Sequence, residues 1–161
     1  MSIDGNQFKA ALKLWASGVT VVTAQSEAQG LKGMTATSFS SVSLDPPQIL
    51  VCLNQNTDTG AVVLEEKRFA VNILGSEQQN VSNQFAGGSS QEERFANVAW
   101  EAGDNGAPLL TEALASLECK LVEQVAAGTH WIVIGEVQRV VCRSGEPLLY
   151  YSGAYRQLAS A

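Results

Sequence analysis

The residues best placed to meet a ligand fall in one stretch, Gly33-Met34-Thr35-Ala36-Thr37-Ser38-Phe39-Ser40-Ser41-Val42-Ser43-Leu44-Asp45-Pro46-Pro47, where nine of fifteen residues are Thr, Ser, Gly or Pro. Thr35, Thr37, Phe39, Ser41 and Ser43 alternate with Met34, Ala36, Ser38, Ser40, Val42 and Leu44. A period of two predicts extended chain, one face of it rich in hydroxyls. Small hydroxyl side chains let a ligand come close to the backbone and offer donors to a phosphate or a polar ring edge. The pattern suits a cradle for a large planar phosphorylated molecule, and it equally suits an ordinary hydroxyl-rich edge strand.

Groups for acid–base or nucleophilic chemistry are scarce. The chain has one histidine, His130, and three cysteines, Cys52, Cys119 and Cys142, each in an apolar run. They form no metal-ligand spacing, so no metal is expected. An odd number of scattered cysteines reads as free thiols in a reducing compartment. There is no G-x-G-x-x-G after a strand and no G-x-x-x-x-G-K, so neither a Rossmann site nor a P-loop is supported. A chain so poor in reactive groups points to a cofactor that brings the chemistry, with the protein supplying binding and orientation.

Composition narrows the class further. The 161 residues fit one domain spanning 1–161, and 45% hydrophobic with 16% charged content is that of a globular protein. A net charge of −6 disfavours nucleic acid and anionic membrane surfaces. No apolar run approaches the roughly 20 residues of a membrane span. Met1 to Gly18 lacks a basic start and an apolar block, so the expectation is a cytoplasmic protein.

These residues must be positioned by strands. Asp4 and Gln7 resemble a capping box opening a helix that carries Phe8, Ala11, Leu12 and Trp15 to Gly18. Val19 to Ala24 reads as strand, the hydroxyl-rich segment as one further strand, and Ile49 to Leu53 as a strand buried on both faces. A helix is expected over Gly60–Glu66, capped by Asp58 or Thr59, and a second capping box at Ser76 and Gln79. Leu114 to Val125 alternates Leu117, Cys119 and Leu121 with Glu118, Lys120 and Val122, followed by a turn and His130 to Cys142. About six strands and three short helices, the strands often adjacent in sequence, predict a mainly β fold. Its form is an antiparallel barrel with a few short peripheral helices.

The Gly33 to Pro47 stretch is followed in order by Phe69-Ala70-Val71-Asn72-Ile73-Leu74, Phe85-Ala86, Arg94-Phe95, Gly106-Ala107-Pro108-Leu109-Leu110, Leu117-Glu118-Cys119, His130, Gly135-Glu136-Val137 and Pro147 to Arg156. In that order and spacing the chain resembles the short-chain flavin reductases that serve two-component aromatic monooxygenases. The resemblance spans about Phe8 to Leu158. It implies a split β-barrel homodimer that binds FAD or FMN, reduces it with NADH or NADPH, and releases it to a separate monooxygenase. Hydride would pass from nicotinamide C4 to flavin N5.

It also implies site residues. Met34, Thr35, Ala36, Thr37, Ser38, Ser40 and Ser41 would wrap the flavin, with Cys52 and Leu53 beside them. Ser40, Ser41, Asn54 and Thr57 would hold the phosphate through neutral donors. Phe85 would cover a ring unless it is a core residue, Arg94 would meet a pyrophosphate unless it is a solvated arginine, Arg156 would meet a dinucleotide phosphate, and Tyr150 would join the site unless it is a packing residue. His130 would position NADH, although Gly128-Thr129-His130 stands where the family often has Gly-Asp-His. Phe8, Leu12 and Trp15 read as a packing stripe. A tightly held FMN that passes electrons elsewhere, a non-catalytic flavin carrier and a flavin-free interaction module are the alternatives.

Overall fold

The computed structural model describes residues 3–159. Asp4 caps helix α1 (Gly5–Leu12) as expected, accepting from the Asn6 N–H rather than pairing with Gln7. The helix stops six residues short of Gly18: the Leu14 and Trp15 N–H groups turn back to the Ala11 and Leu12 carbonyls. No residue of α1 is buried, so the Phe8–Leu12–Trp15 stripe lacks a packing partner within the chain.

The body is a seven-stranded antiparallel sheet. Its members are β2 (Thr20–Ser26), β3 (Gly30–Ala36), β4 (Phe39–Leu44), β5 (Pro47–Asn54), β6 (Arg68–Ile73), β9 (Ala115–Ala127) and β10 (His130–Cys142). The order across it is β3-β2-β6-β9-β10-β5-β4. The two edge strands, β3 and β4, are consecutive in the chain and only Thr37 and Ser38 lie between them. Three extended peptide steps reach about 10 Å at most. The two edges must therefore meet, and the sheet rolls into a barrel. The hydroxyl-rich segment is thus two strands with a break at Thr37-Ser38, and that break is the seam of the barrel.

Period-two alternation fills the barrel. Val22, Ala24, Ala36, Ile49, Val51, Leu53, Phe69, Val71, Cys119, Leu121 and Val133 point inward, under Val62 and Val63 of helix α2 (Asp58–Glu66). The cap of α2 is Thr57, whose Oγ1 accepts from the Gly60 N–H at 3.2 Å, rather than Asp58 or Thr59. Strand β5 is not buried on both faces: Ile49, Val51 and Leu53 are buried while Leu50 and Cys52 are half-exposed.

Outside the barrel, Val19, Val21 and Leu74 pack with Phe85 of helix α3 (Gln79–Phe85), Phe95 of helix α4 (Gln91–Phe95), Leu110 and Leu148. The second capping pair is Gly75 and Gln78, one residue earlier than expected, with the Gly75 N–H donating to Gln78 Oε1 at 2.9 Å. Strand β7 (Trp100–Ala102) pairs with β8 (Pro108–Leu110). This hairpin covers Glu118, a charged residue of the alternating β9 pattern, which is only 1% exposed. Glu118 accepts from Arg139 at 2.7 Å and from the Asn105 N–H at 2.9 Å, which satisfies the buried carboxylate. A third small sheet joins β1 (Ser17–Gly18), β11 (Leu149–Tyr151) and β12 (Ala154–Arg156). It lies against the seam and carries Tyr150.

Candidate functional site

The seam opens into a cleft of about 700 Å³. One wall is Thr37, Ser38, Phe39 and Ser40, and the floor is Leu50 and Cys52 of β5. The far wall is Ser17, Tyr150, Ser152 and Gly153, and Lys9, Leu12, Lys13 and Trp15 close one side. A smaller cavity of about 350 Å³ shares Thr37, Tyr150 and Gly153 with it and is completed by Thr35, Ser82, Asn83 and Tyr155. Among the described residues no group of His, Cys, Asp and Glu side chains could hold a metal ion.

Local chemistry explains this shape. Ser38 is pinned to β5: its Oγ donates to the Cys52 carbonyl at 3.0 Å, and the Cys52 N–H lies 3.2 Å from both the Ser38 carbonyl and Oγ. That lock extends the β4–β5 pairing to the seam and commits the Ser38 hydroxyl to the fold. Thr35 Oγ1 donates to the Ser82 carbonyl at 2.6 Å, tying β3 to α3. Tyr155 bonds Ser82 Oγ and Asn83 Oδ1, both at 2.8 Å, and meets the Tyr150 ring edge-on at 5.5 Å. Ser40 is exposed at the rim and bonds only its neighbour's carbonyl, Ser41 O at 3.1 Å.

The strand register places His130. On the paired strands Cys52 faces Ile132 and Asn54 faces His130. Side chains directly opposite share a face, so Cys52, Asn54, Ile132 and His130 lie on the outer face that forms the cleft floor. His130 stands two residues beyond Ile132, roughly 7 Å along the strand. Thr129 Oγ1 lies 2.9 Å from its Nδ1, so a hydroxyl takes the place of a carboxylate as its immediate neighbour. Asn54 and Thr57 build the turn before α2: Thr57 Oγ1 donates to the Asn54 carbonyl at 2.8 Å, and the Asn56 N–H reaches Asn54 Oδ1 at 2.9 Å.

The expected site residues therefore divide. Thr37, Ser38, Ser40, Cys52 and Tyr150 meet in the main cleft, Thr35 lines the adjoining cavity, and Asn54, Thr57 and His130 sit farther along the hairpin end. Others are placed elsewhere. Met34, Ala36 and Leu53 turn into the barrel core, because each is one residue out of phase with the cleft face. Ser41 pairs with Ile49 and does not line the cleft. Phe85 is wholly buried against Gly33 and Phe95, so its ring cannot cover a ligand. Arg94 spends its guanidinium on the Gly33 carbonyl at 2.7 Å and the Ser89 carbonyl at 3.3 Å. Arg156 lines a separate cleft with Ser76, Gln79 and Gln157.

The sequence reading missed Lys9, Lys13, Ser152 and Gly153, and it assigned Trp15 to packing. The available signal was a lysine pair four residues apart beside a tryptophan in an acidic chain.

The flavin reductase like domain model matches residues 12–159. The chain is 40% identical over 154 residues to the FMN reductase (NADH) RutF of Pseudomonas syringae, covering 95% of this chain and 86% of that protein. It is 39% identical over 153 residues to the reductase component of the FADH(2)-dependent resorcinol hydroxylase of a Rhizobium species, covering 94% and 86%. The NADH:FAD oxidoreductase of Streptomyces globisporus, solved in complex with NAD and FAD fragments, superposes with a TM-score of 0.90 at 33% identity, over 99% of this chain and 97% of that one. With a mainly β barrel, a hydroxyl-walled cleft at its seam and these relatives along nearly its whole length, the chain belongs to the flavin reductase like domain family.

Proposed function

We propose that the protein is an NADH-dependent flavin reductase that releases reduced flavin to a separate aromatic-ring monooxygenase. The observation that carries this reading is the seam cleft, walled by Thr37 and Ser40 and floored by Cys52, with His130 farther along the same sheet face. Neutral hydroxyl donors suit a phosphorylated ring that must leave after each turnover, where an arginine cluster would hold it. When bound, flavin supplies a ring that accepts hydride from the nicotinamide.

The protein's part is positioning. Ser38, locked to Cys52, fixes the wall that sets the ring's depth. Ser40 and Thr37 offer hydroxyls at the rim. His130 orients NADH by a hydrogen bond, and no side chain need take or give a proton for hydride transfer. Holding two reactants in register can be worth roughly 7–11 kcal/mol.

The protein acts as a homodimer in the cytoplasm. Phe8, Leu12, Leu14, Val122, Val125 and Val140 are each more than 40% exposed in the single chain, an apolar surface that a two-fold partner would cover. Among the described residues no helix is long and apolar enough to cross a membrane.

The test is anaerobic mixing of the protein with NADH and excess FAD or FMN. Bleaching of the flavin over many turnovers is expected. Bleaching limited to one equivalent would instead mean a tightly held flavin, and none would refute the assignment.

A further inference from the structure

The seam cleft has one charged wall. Lys9 and Lys13 are four residues apart on α1 and its C-cap, so they project from one face of the helix, and both line the cleft. Every other side chain lining the cleft is uncharged. Among the described residues the ion pairs join Arg68 to Glu66 and Arg139 to Asp104 and Glu118, so neither lysine has a carboxylate partner. The helix end is held in place: the Ser152 N–H donates to the Lys13 carbonyl at 3.0 Å, and Ser152 and Gly153 belong to the opposite wall of the same cleft. Trp15 stands two residues after Lys13, is 76% exposed and also lines the cleft.

A mononucleotide has its single phosphate served by the neutral donors on the hydroxyl wall. A dinucleotide adds a second phosphate and an adenine. Two ammonium groups without a carboxylate and one free indole face are the complement of those two additions: point charges for the pyrophosphate and a stacking surface for the base. We infer that Lys9 and Lys13 bind the pyrophosphate of FAD and Trp15 stacks on its adenine, so that α1 makes this reductase prefer FAD over FMN. The inference rests on the flavin reading of the cleft. FAD, rather than NADH, is the dinucleotide concerned because α1 closes the same cleft as Thr37, Ser38 and Ser40.

The experiment measures KM for FAD, FMN and riboflavin at saturating NADH, and KM for NADH with riboflavin as acceptor, in the parent and in Lys9→Gln/Lys13→Gln. Both side chains are exposed, so the fold should be retained, and riboflavin turnover reports that directly. The parent should show a lower KM for FAD than for FMN. The double variant should raise KM for FAD about tenfold, from two exposed charge pairs, and leave the other three values within about twofold. The parent's KM for FAD should climb between about 50 and 300 mM salt while the variant's stays flat. Trp15→Leu should raise KM for FAD about threefold or more and spare FMN.

An unchanged KM for FAD, an equal rise for FMN, or a rise confined to NADH overturns the inference while leaving the reductase reading intact. A parent that reduces none of the three flavins overturns both.

Discussion

Gly33 and Phe85 form a contact whose energy can be worked from the structure. A Cβ added at Gly33 would stand 2.5 Å from Phe85 Cε1, 2.7 Å from Cδ1 and 3.2 Å from Phe95 Cζ. Neither ring can yield easily, since Phe85 is fully buried and meets Phe95 edge-on at 5.0 Å. Overpacking of this kind costs about 1–3 kcal/mol. Removing glycine's freedom from the unfolded chain returns about 0.4–1 kcal/mol. Gly33→Ala should therefore destabilise by a net of about 1–2 kcal/mol, a fall in Tm of about 2–8 °C for a chain of this size. Leucine at position 85 lacks the ring's Cε1, the nearest blocking atom, and its branched δ carbons can rotate away from the new methyl. In a Phe85→Leu background the glycine substitution should cost almost nothing, giving a coupling of about 1 kcal/mol or more. Urea unfolding of the parent, the two single variants and the double variant reads this cycle. FAD affinity of Phe85→Leu should match the parent's, because the ring has no ligand-facing surface. Equal costs of Gly33→Ala in both backgrounds would show that the strain lies in the backbone or at Phe95. A weakened flavin affinity in Phe85→Leu at unchanged unfolding midpoint would return Phe85 to the site.

His130→Ala should raise KM for NADH with flavin affinity unchanged, lowering kcat/KM about threefold to tenfold for one lost hydrogen bond; weakened flavin binding with an unchanged KM for NADH would place His130 at the other ligand. Burial, with Glu118 alongside, pushes the Cys119 thiol up from 9.0 to about 12. Because the folded value lies above the unfolded one, stability is complete below pH 9 and falls as the pH rises toward 12, by roughly 1.4 kcal/mol per unit from this group. Unfolding midpoints from pH 8 to 11 should decline less steeply in Cys119→Ala, and parallel slopes would refute the assignment.

The order of the motifs along the chain was sufficient to identify the family, and local chemistry was legible wherever it acts over a few residues. Asp4 caps α1, the period of two along Gly33 to Leu44 is strand, and the mainly β content follows from runs of β-branched residues at short spacing. Thr35 and Thr37 share one phase of that alternation and both meet the cleft, whereas Ser40 falls on the other phase and reaches it because the strand breaks at Thr37-Ser38.

Which face was which lay beyond the sequence. Met34, Ala36 and Leu53 look as eligible as their neighbours, and only the register of a closed barrel sends them into the core. Alternation fixes relative phase along a strand, while absolute phase depends on partners far away in the chain. The same holds for Glu118, a charge in an exposed-looking pattern that the β7–β8 hairpin covers and Arg139 neutralises. Phe85 and Arg94 have the right chemistry for a site and are consumed by Gly33, a position whose missing side chain makes room for one and whose carbonyl binds the other. Lys9, Lys13 and Trp15 reach the cleft through a single long-range hydrogen bond to Ser152, 139 residues after Lys13. Composition and spacing determine what each segment can become; closure of the seam at Thr37-Ser38 determines which side chains share one space, because it brings the two edges of the sheet together.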